Sequence, residues 1–286
     1  MSLFEVKPYD REVYEKELKD FLPQKILDAH THVYLKEFFP PKPLAPGEVK
    51  RTVTWPSLVA ADDSIEDLQE TYRLMLPGKD VTALMFTSRG AWDKNNAYVA
   101  ECSRRTGFPA LYYSRPEQSP EELEQEIRKG GFLGLKSYLS LSPKYLPEAE
   151  IRIFDFFPKA QLKKMDEMGA IVMLHIPRNG RLKDPVNLAQ IMEIKQEFPN
   201  IRLIIAHIGR AYTKEDVGNA FETLDQAPDL MYDFCANCCE YAITEVLRHA
   251  GPKHVMYGTD MPILRMRTHR IEAVSYTHLT LPTIRL

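Results

Sequence analysis

Short apolar runs alternate with amphipathic stretches along most of the chain, and this alternation constrains the fold more than any other feature. Near-continuous apolar runs are typical of parallel strands that are covered on both faces. The predicted strands are 26–33, 81–87, 110–114, 134–139, 170–176, 201–207, 230–235 and 254–260. The stretches between them have helical spacing and end signals, such as the Ser119-Pro120 start. Eight strands alternating with helices predict an α/β fold, the (β/α)8 TIM barrel.

The alternative fold is a doubly wound open sheet. Such a sheet normally has fewer strands, and no glycine-rich phosphate-binding motif follows the first predicted strand. We therefore expect a barrel over residues 25–271, preceded by an N-terminal helical extension over residues 1–24. The long proline-rich loop 38–56, which contains Trp55, is a candidate lid.

The C-terminal residues do not have the pattern of the helix that should close a barrel. Residues 275–283 alternate like a strand and are followed by a short irregular end. We expect the native chain to end near Glu272, with residues 272–286 as a non-native tail. A natural irregular tail is the alternative.

The composition excludes several classes of protein. The 286 residues carry a net charge of −3, so no basic field favours nucleic acid. No apolar run approaches the roughly 20 residues that span a membrane, and the N-terminus lacks a signal-peptide pattern. The four cysteines form neither a disulfide framework nor a zinc ribbon, which favours a cytoplasmic protein with free thiols. The oligomeric state is left open, a homo-oligomer included.

Histidines gather where the predicted strands end. His30 and His32 end the first strand, His175 the fifth and His207 the sixth, while Asp260 ends the eighth. In a (β/α)8 barrel these strand ends form one rim, where active sites lie. Each residue alone is equally well explained as a hydrogen-bonded core residue. Together they fit a divalent metal site, for which we expect Zn²⁺, with Mn²⁺ or Fe²⁺ as alternatives.

Such a site has a chemical use if one position stays open for water or substrate. A bound water becomes acidic enough to supply hydroxide near neutral pH. Asp260 could bind the metal and also accept a proton from that water.

These motifs resemble the amidohydrolase superfamily, and most closely its amidohydrolase-related branch, called amidohydrolase 2. The resemblance rests on residues 28–32 (DAHTH), His175, residues 206–210 (AHIGR) and residues 257–262 (YGTDMP). It implies a distorted (β/α)8 barrel that binds one or two divalent metals. It also implies four metal ligands and a fifth residue that is either catalytic or a ligand of a second ion. The four ligands are His30, His32, His175 and Asp260, and the fifth residue is His207.

In the family that the chain resembles, the number of metal ions depends on the residue at the position of Lys136, on the fourth strand. A carboxylated Lys136 would bridge two ions, whereas an unmodified Lys136 would be a cation for a substrate carboxylate. We favour one ion. A lysine that simply pairs with a carboxylate of the barrel is the remaining alternative.

Other polar residues flank the predicted rim. Arg178 and Arg210 each follow a rim histidine by three residues and could bind an anionic substrate through their planar guanidinium groups. Asp233 and Asn237 could orient a ligand or a metal-binding histidine. Cys235 is expected to be a packing residue.

The sequence favours a metal-dependent hydrolase that acts on a small, anionic molecule through a metal-activated water. The first alternative keeps the site and changes the reaction to non-oxidative decarboxylation or hydration of a small carboxylic acid, as occurs in the same branch. The second alternative is a metal-binding protein without turnover.

Overall fold

The computed structural model describes residues 6–38, 62–87 and 92–263. Most of the predicted lid, including Trp55, and the whole predicted tail 272–286 lie outside the described residues. The first helix, α1, is Pro8–Val13, and a π-helical turn at Tyr14–Leu18 continues it. This helical segment lies within residues 1–24, where the sequence predicts a helical extension.

The described strands fall within or beside the eight predicted runs. They are β1 Lys25–His32, β2 Asp80–Phe86, β3 Tyr112–Tyr113, β4 Gly134–Lys136, β5 Ile171–Leu174, β6 Arg202–Ile205, β7 Met231–Asp233 and β8 Val255–Met256. The remaining helices are α2 Ile65–Met75, α3 Trp92–Thr106, α4 Pro120–Gly130, α5 Lys159–Met168, α6 Pro185–Glu197, α7 Lys214–Val217, α8 Ala220–Leu224 and α9 Glu240–His249.

All paired strands are parallel. β1 pairs with β2, and β3 to β8 form a second sheet in sequential order. Isolated parallel bridges, Met85 with Ala110 and Thr31 with Met261, connect the two sheets at both edges. This sequential parallel order agrees with the predicted (β/α)8 barrel.

Local sequence signals explain where the helices begin and end. Ser64 and Asp67 form a capping box at the start of α2, in which each side chain accepts the backbone N–H of the other residue. Ser119 caps α4, which ends at Gly131 with φ +71°. Gly218 separates α7 from α8, so the stretch between β6 and β7 forms two short helices.

The core has two layers. A large cluster lies between the strands and the helices. A smaller cluster fills the space enclosed by the strands and contains Leu84, Phe86, Leu111, Met173, Ile204 and Ala206. Phe86 forms the upper end of this inner cluster, because its ring centre lies 4.9 Å from that of His30 and 4.8 Å from that of His32 in T-shaped contacts. The core therefore supports the histidines directly from below.

Candidate metal centre

The polar residues predicted at the strand ends line one cavity of about 550 Å³. They are His30, His32, Lys136, His175, His207 and Asp260. Two of them end β1, Lys136 ends β4, and the others follow β5, β6 and β8. The structure thus brings these six side chains together at the carboxyl ends of the strands.

Three of the four predicted metal ligands converge closely. One donor atom each of His30, His32 and Asp260 lies within 4.8 Å of the others. Asp260 Oδ1 is 3.2 Å from His32 Nε2 and 3.7 Å from His30 Nε2. Imidazole nitrogens and a carboxylate oxygen in this arrangement are suitable ligands for a divalent metal.

Two buried ring nitrogens indicate that this group is incomplete without a further partner. Neither His32 Nδ1 nor His175 Nδ1 has a hydrogen-bond partner among the described residues. His175 lines the same cavity, and its ring centre is 5.0 Å from that of His207. Because buried polar atoms are normally satisfied, His175 fits a cavity that holds a metal ion. His32 reaches the same group through its other ring nitrogen, Nε2.

The protonation states also suit a metal. Burial lowers the pKa of His30 and His175 well below the ordinary value, and it lowers the pKa of His32 as well. Burial alone would raise the pKa of Asp260, but the hydrogen bond from His32 and the nearby imidazoles outweigh it. The pKa of Asp260 is therefore lowered, so neutral imidazoles face an ionised carboxylate, as metal ligation requires.

Lys136 is a buried cation at the base of the cavity. Its Nζ lies 2.8 Å from His30 Nε2 and 3.8 Å from the centre of the Phe86 ring. Burial lowers its pKa to about 8. The negative charges of Asp260 and Asp233 lie close enough to oppose this lowering. A lysine whose charge is balanced by carboxylates of the barrel therefore stays an alternative.

Asp233 on β7 orients two of the rim histidines. Its Oδ2 is 3.0 Å from His30 Nδ1, and its Oδ1 accepts the backbone N–H of His207 at 2.9 Å. A carboxylate behind a histidine fixes both the tautomer and the direction of the ring. The predicted orienting role of Asp233 therefore matches the contacts of its carboxylate.

A second group of donor atoms lies behind the first one. It comprises His30, His207, Asp233 and Cys235. The Cys235 thiol donates to Asp233 Oδ1 at 2.8 Å, and its sulfur is 3.0 Å from His207 Nδ1. Burial raises the pKa of this thiol well above its ordinary value. These short contacts form a hydrogen-bond network. Cys235 takes part in it through its thiol, whereas only a packing residue was expected from the sequence.

The chain leaves β6 through a left-handed turn. His207, Ile208, Gly209 and Arg210 all have positive φ, between 49° and 58°. Left-handed backbone costs roughly 1–2 kcal/mol for each non-glycine residue. Asp260 has φ 53° as well. Strained backbone of this kind concentrates at functional sites, which agrees with the position of both residues at the cavity.

The two predicted substrate-binding arginines point elsewhere in this structure. Arg178 pairs with Asp184 at 3.1 Å. Arg210 donates to the carbonyl oxygens of Ile176 and Pro177. Neither arginine lines the cavity described here.

Several cavity and supporting residues were missed from the sequence. Tyr138 and Glu148 line the cavity from the connection between β4 and α5. Asp28 accepts hydrogen bonds from His30, Thr259 and Tyr72. Asp28 stands inside the histidine motif, which was the only available signal for it. Nothing in the sequence pattern marks a loop residue such as Glu148 as part of a cavity.

The fold and the donor set define a (β/α)8-barrel protein whose strands carry, at their carboxyl ends, a group of side chains that could hold a divalent metal ion. The amidohydrolase family model matches residues 27–281. The chain therefore belongs to the amidohydrolase family. Its family membership, its fold and its donor set together indicate a metal-dependent enzyme. No curated protein sequence matches the chain closely enough to count as a relative.

Solved structures of similar fold include decarboxylases. The 5-carboxyvanillate decarboxylase LigW from Sphingomonas paucimobilis aligns with TM-score 0.57 at 13% identity, covering 84% of this chain and 90% of that one. The 2,6-dihydroxybenzoate decarboxylase from Rhizobium aligns with TM-score 0.55 at 13% identity, covering 84% and 88%.

A dihydroxybenzoic acid decarboxylase from Polaromonas, with bound manganese and 2-nitroresorcinol, aligns with TM-score 0.54 at 14% identity, covering 84% and 86%. At these identities the similarity establishes the fold. Among the described residues, no helix is both long and apolar enough to cross a membrane.

Proposed function

We propose that this chain is a metal-dependent, non-oxidative decarboxylase of a small aromatic or unsaturated carboxylic acid. The observation that carries the proposal is the buried cation of Lys136 at the base of the cavity. A buried charge is costly unless it is paired. Asp260 and Asp233 compensate part of this charge from a distance, and a substrate carboxylate that enters the cavity would supply a direct partner for Lys136.

The upper cavity wall suits an unsaturated substrate body. Tyr138, Leu139, Ile151 and Ile263 line the cavity beside its polar residues, together with Ser140 and Glu148. An apolar wall over a few convergent polar groups is the usual composition of a small-molecule site. The similar structures named above support the same substrate class, because they are decarboxylases of hydroxylated benzoic acids by name.

His30, His32, His175 and Asp260 are the residues that would hold the metal. A bound divalent ion would supply positive charge that attracts and polarises the oxygen atoms of the substrate. Manganese is as reasonable as the zinc expected from the sequence, since a similar structure contains it.

The remaining residues divide the reaction between them. The Lys136 ammonium group binds the negatively charged carboxylate of the substrate. When carbon dioxide leaves, a carbon–carbon bond breaks, its electron pair stays on the substrate carbon, and that carbon takes up one proton. This proton comes from solvent water, and we assign His207 and Asp260, at the cavity base, to taking it up and passing it to the substrate carbon.

A paired substrate screen tests the proposal. The full chain, loaded with Mn²⁺ or Zn²⁺, is offered hydroxylated benzoic acids and unsaturated acids, together with their methyl esters and with lactones and amides. We expect carbon dioxide from the acids and no turnover of the esters. Lys136→Met should raise KM about tenfold or more, because a charge-assisted contact is lost. Lys144→Met, at an exposed lysine in the same connection, is the matched control.

Hydrolysis is the second candidate function, and family membership favours it. The same donor set suits a metal-activated water, with Asp260 accepting the proton. Release of alcohol or amine from esters, lactones or amides, without carbon dioxide from any acid, would replace the decarboxylase proposal with this one.

A further inference from the structure

The left-handed turn at residues 207–210, which carries His207, needs contacts from outside the turn to stabilise its backbone conformation. Only one of its four residues is a glycine, and Ile208 is β-branched. L-residues visit this backbone region singly rather than in runs. The turn therefore persists because its surroundings fix it, and the same contacts fix the direction of the His207 imidazole.

We propose that Asn237 is a positioning residue whose side-chain amide holds this turn, and thereby His207, in the geometry that the reaction needs. Asn237 Nδ2 donates to the carbonyl oxygens of His207 at 3.2 Å and Ala211 at 3.0 Å. These carbonyls belong to the first residue of the turn and to the residue just after it. One amide group thus ties together both ends of the turn.

The amide itself is firmly placed. Its Oδ1 accepts the backbone N–H of Cys239 at 2.9 Å, which fixes which side of the amide carries the oxygen. Asn237 is only 6% exposed. Water therefore has little access to replace these bonds if the side chain is removed.

The last residue of β7 and the segment that follows it contact His207 at three points. Asn237 holds its carbonyl group, and Asp233 accepts its backbone N–H. The ring atom Nδ1 is 2.9 Å from the carbonyl oxygen of Cys235. Because a carbonyl oxygen only accepts, Nδ1 carries the hydrogen in this contact. Nε2, the ring nitrogen that takes no part in this contact, is then the atom that can exchange a proton during turnover.

The opposite side of the turn is also closely packed. A Cβ atom at Gly209 would come within 2.5 Å of Leu182 Cδ1. Leu182 thus presses on the turn from outside, while Asn237 ties its two ends. Loss of the Asn237 amide should let the two carbonyl groups separate and the imidazole change its direction.

The test compares Asn237→Ala and Asn237→Ser with Cys238→Ser, a substitution at the exposed neighbouring residue. The full-length, zinc-loaded protein is used throughout. Long-range ¹H–¹⁵N spectra of the histidine side chains report the tautomer of His207, whose signals are assigned with His207→Gln. Metal content, kcat and KM are measured on the same preparations. The kinetic part rests on the proposed function, whereas the spectra do not.

Wild type and Cys238→Ser should show His207 with its hydrogen on Nδ1. Both Asn237 variants should lose this signature and keep their metal. Their kcat should fall roughly 100-fold while KM changes less than about threefold, because a displaced catalytic group impairs the chemical step.

An unchanged His207 tautomer in both variants would overturn the proposal, and so would a loss of thermal stability without a change in kcat. If neither variant folds, Asn237 belongs to the fold itself and the proposal also fails. If wild type decarboxylates no acid, the proposed function fails separately, and the spectra still decide whether Asn237 holds His207.

Discussion

Asp28 is a buried carboxylate that links β1 to the residues after β8. Its Oδ1 accepts the backbone N–H groups of His30 and Thr259, and its Oδ2 accepts the hydroxyl groups of Thr259 and Tyr72. Burial raises its pKa to about 6 despite these four donors. The oxygen atoms of Asp28 therefore stabilise the fold as hydrogen-bond acceptors, whereas its buried negative charge destabilises it.

Asp28→Asn should therefore be tolerated. The amide oxygen can accept the two backbone N–H groups, and the amide nitrogen can donate to the two hydroxyl oxygens, whose hydrogens can rotate away. We expect the free energy of unfolding, measured by urea denaturation at pH 8, to stay within about 1 kcal/mol of wild type.

Asp28→Ala is the contrasting variant. It leaves two buried backbone N–H groups without an acceptor, so the free energy of unfolding should fall by about 3 kcal/mol or more. Equal losses in both variants would show that the charge of Asp28, rather than its accepting oxygens, stabilises this part of the barrel.

At the scale of elements, the register of β4 against β5 places Lys136. Gly134 pairs with Ile171 two residues before Lys136. A Cβ atom at Gly134 would lie 1.9 Å from the carbonyl oxygen of Ile171 and 2.6 Å from its nitrogen. These are backbone atoms, so relief requires the two strands to move apart.

Gly134→Ala should accordingly lower the Tm by about 10 °C or prevent folding, since several kcal/mol are lost. Gly131→Ala is the matched control, because a Cβ atom there meets nothing within 4 Å although φ is +71°. Its Tm should fall by only about 2–4 °C, the cost of left-handed backbone. Similar Tm values for both variants in thermal unfolding would contradict this account.

The elements also show what the sequence could predict. The apolar runs located all eight strands, because burial on both faces demands apolar residues at successive positions. Several runs were predicted too long at their carboxyl ends. His175, His207 and Asp260 extend those runs in the sequence, but in the structure they have left the strand ladder to line the cavity.

The convergence of the rim histidines was predictable because strand ends of a parallel barrel share one rim. The turn at residues 207–210 was not, since Ile208 and Arg210 give no signal for left-handed backbone. Asn237 contacts that turn through hydrogen bonds to Ala211 and His207, which lie 26 and 30 residues away in the sequence. Pairings of this kind are set by tertiary packing, which local patterns do not encode.

At the scale of the whole molecule, the metal site links distant parts of the chain. Its four predicted ligands come from the ends of β1, β5 and β8, and Asp260 Oδ1 lies 3.2 Å from His32 Nε2 across 228 residues of sequence. Such a set of ligands exists only in the folded chain, so metal binding should stabilise the fold.

Adding Mn²⁺ or Zn²⁺ to chelator-treated protein should therefore raise its Tm. At a metal concentration about 100 times Kd, the gain is roughly 2.7 kcal/mol, or about 5–10 °C for a chain of this size. In His175→Ala, most of this rise in Tm should disappear, and the protein should lose most of its bound metal. His207→Ala should keep both, with about one ion per chain by elemental analysis, and His249→Ala on the surface serves as the control. Two ions per chain, reduced by His207→Ala as well, would instead assign His207 to a second metal and make a carboxylated Lys136 the bridge. A folded chain that binds neither ion would refute the metal-dependent reaction itself.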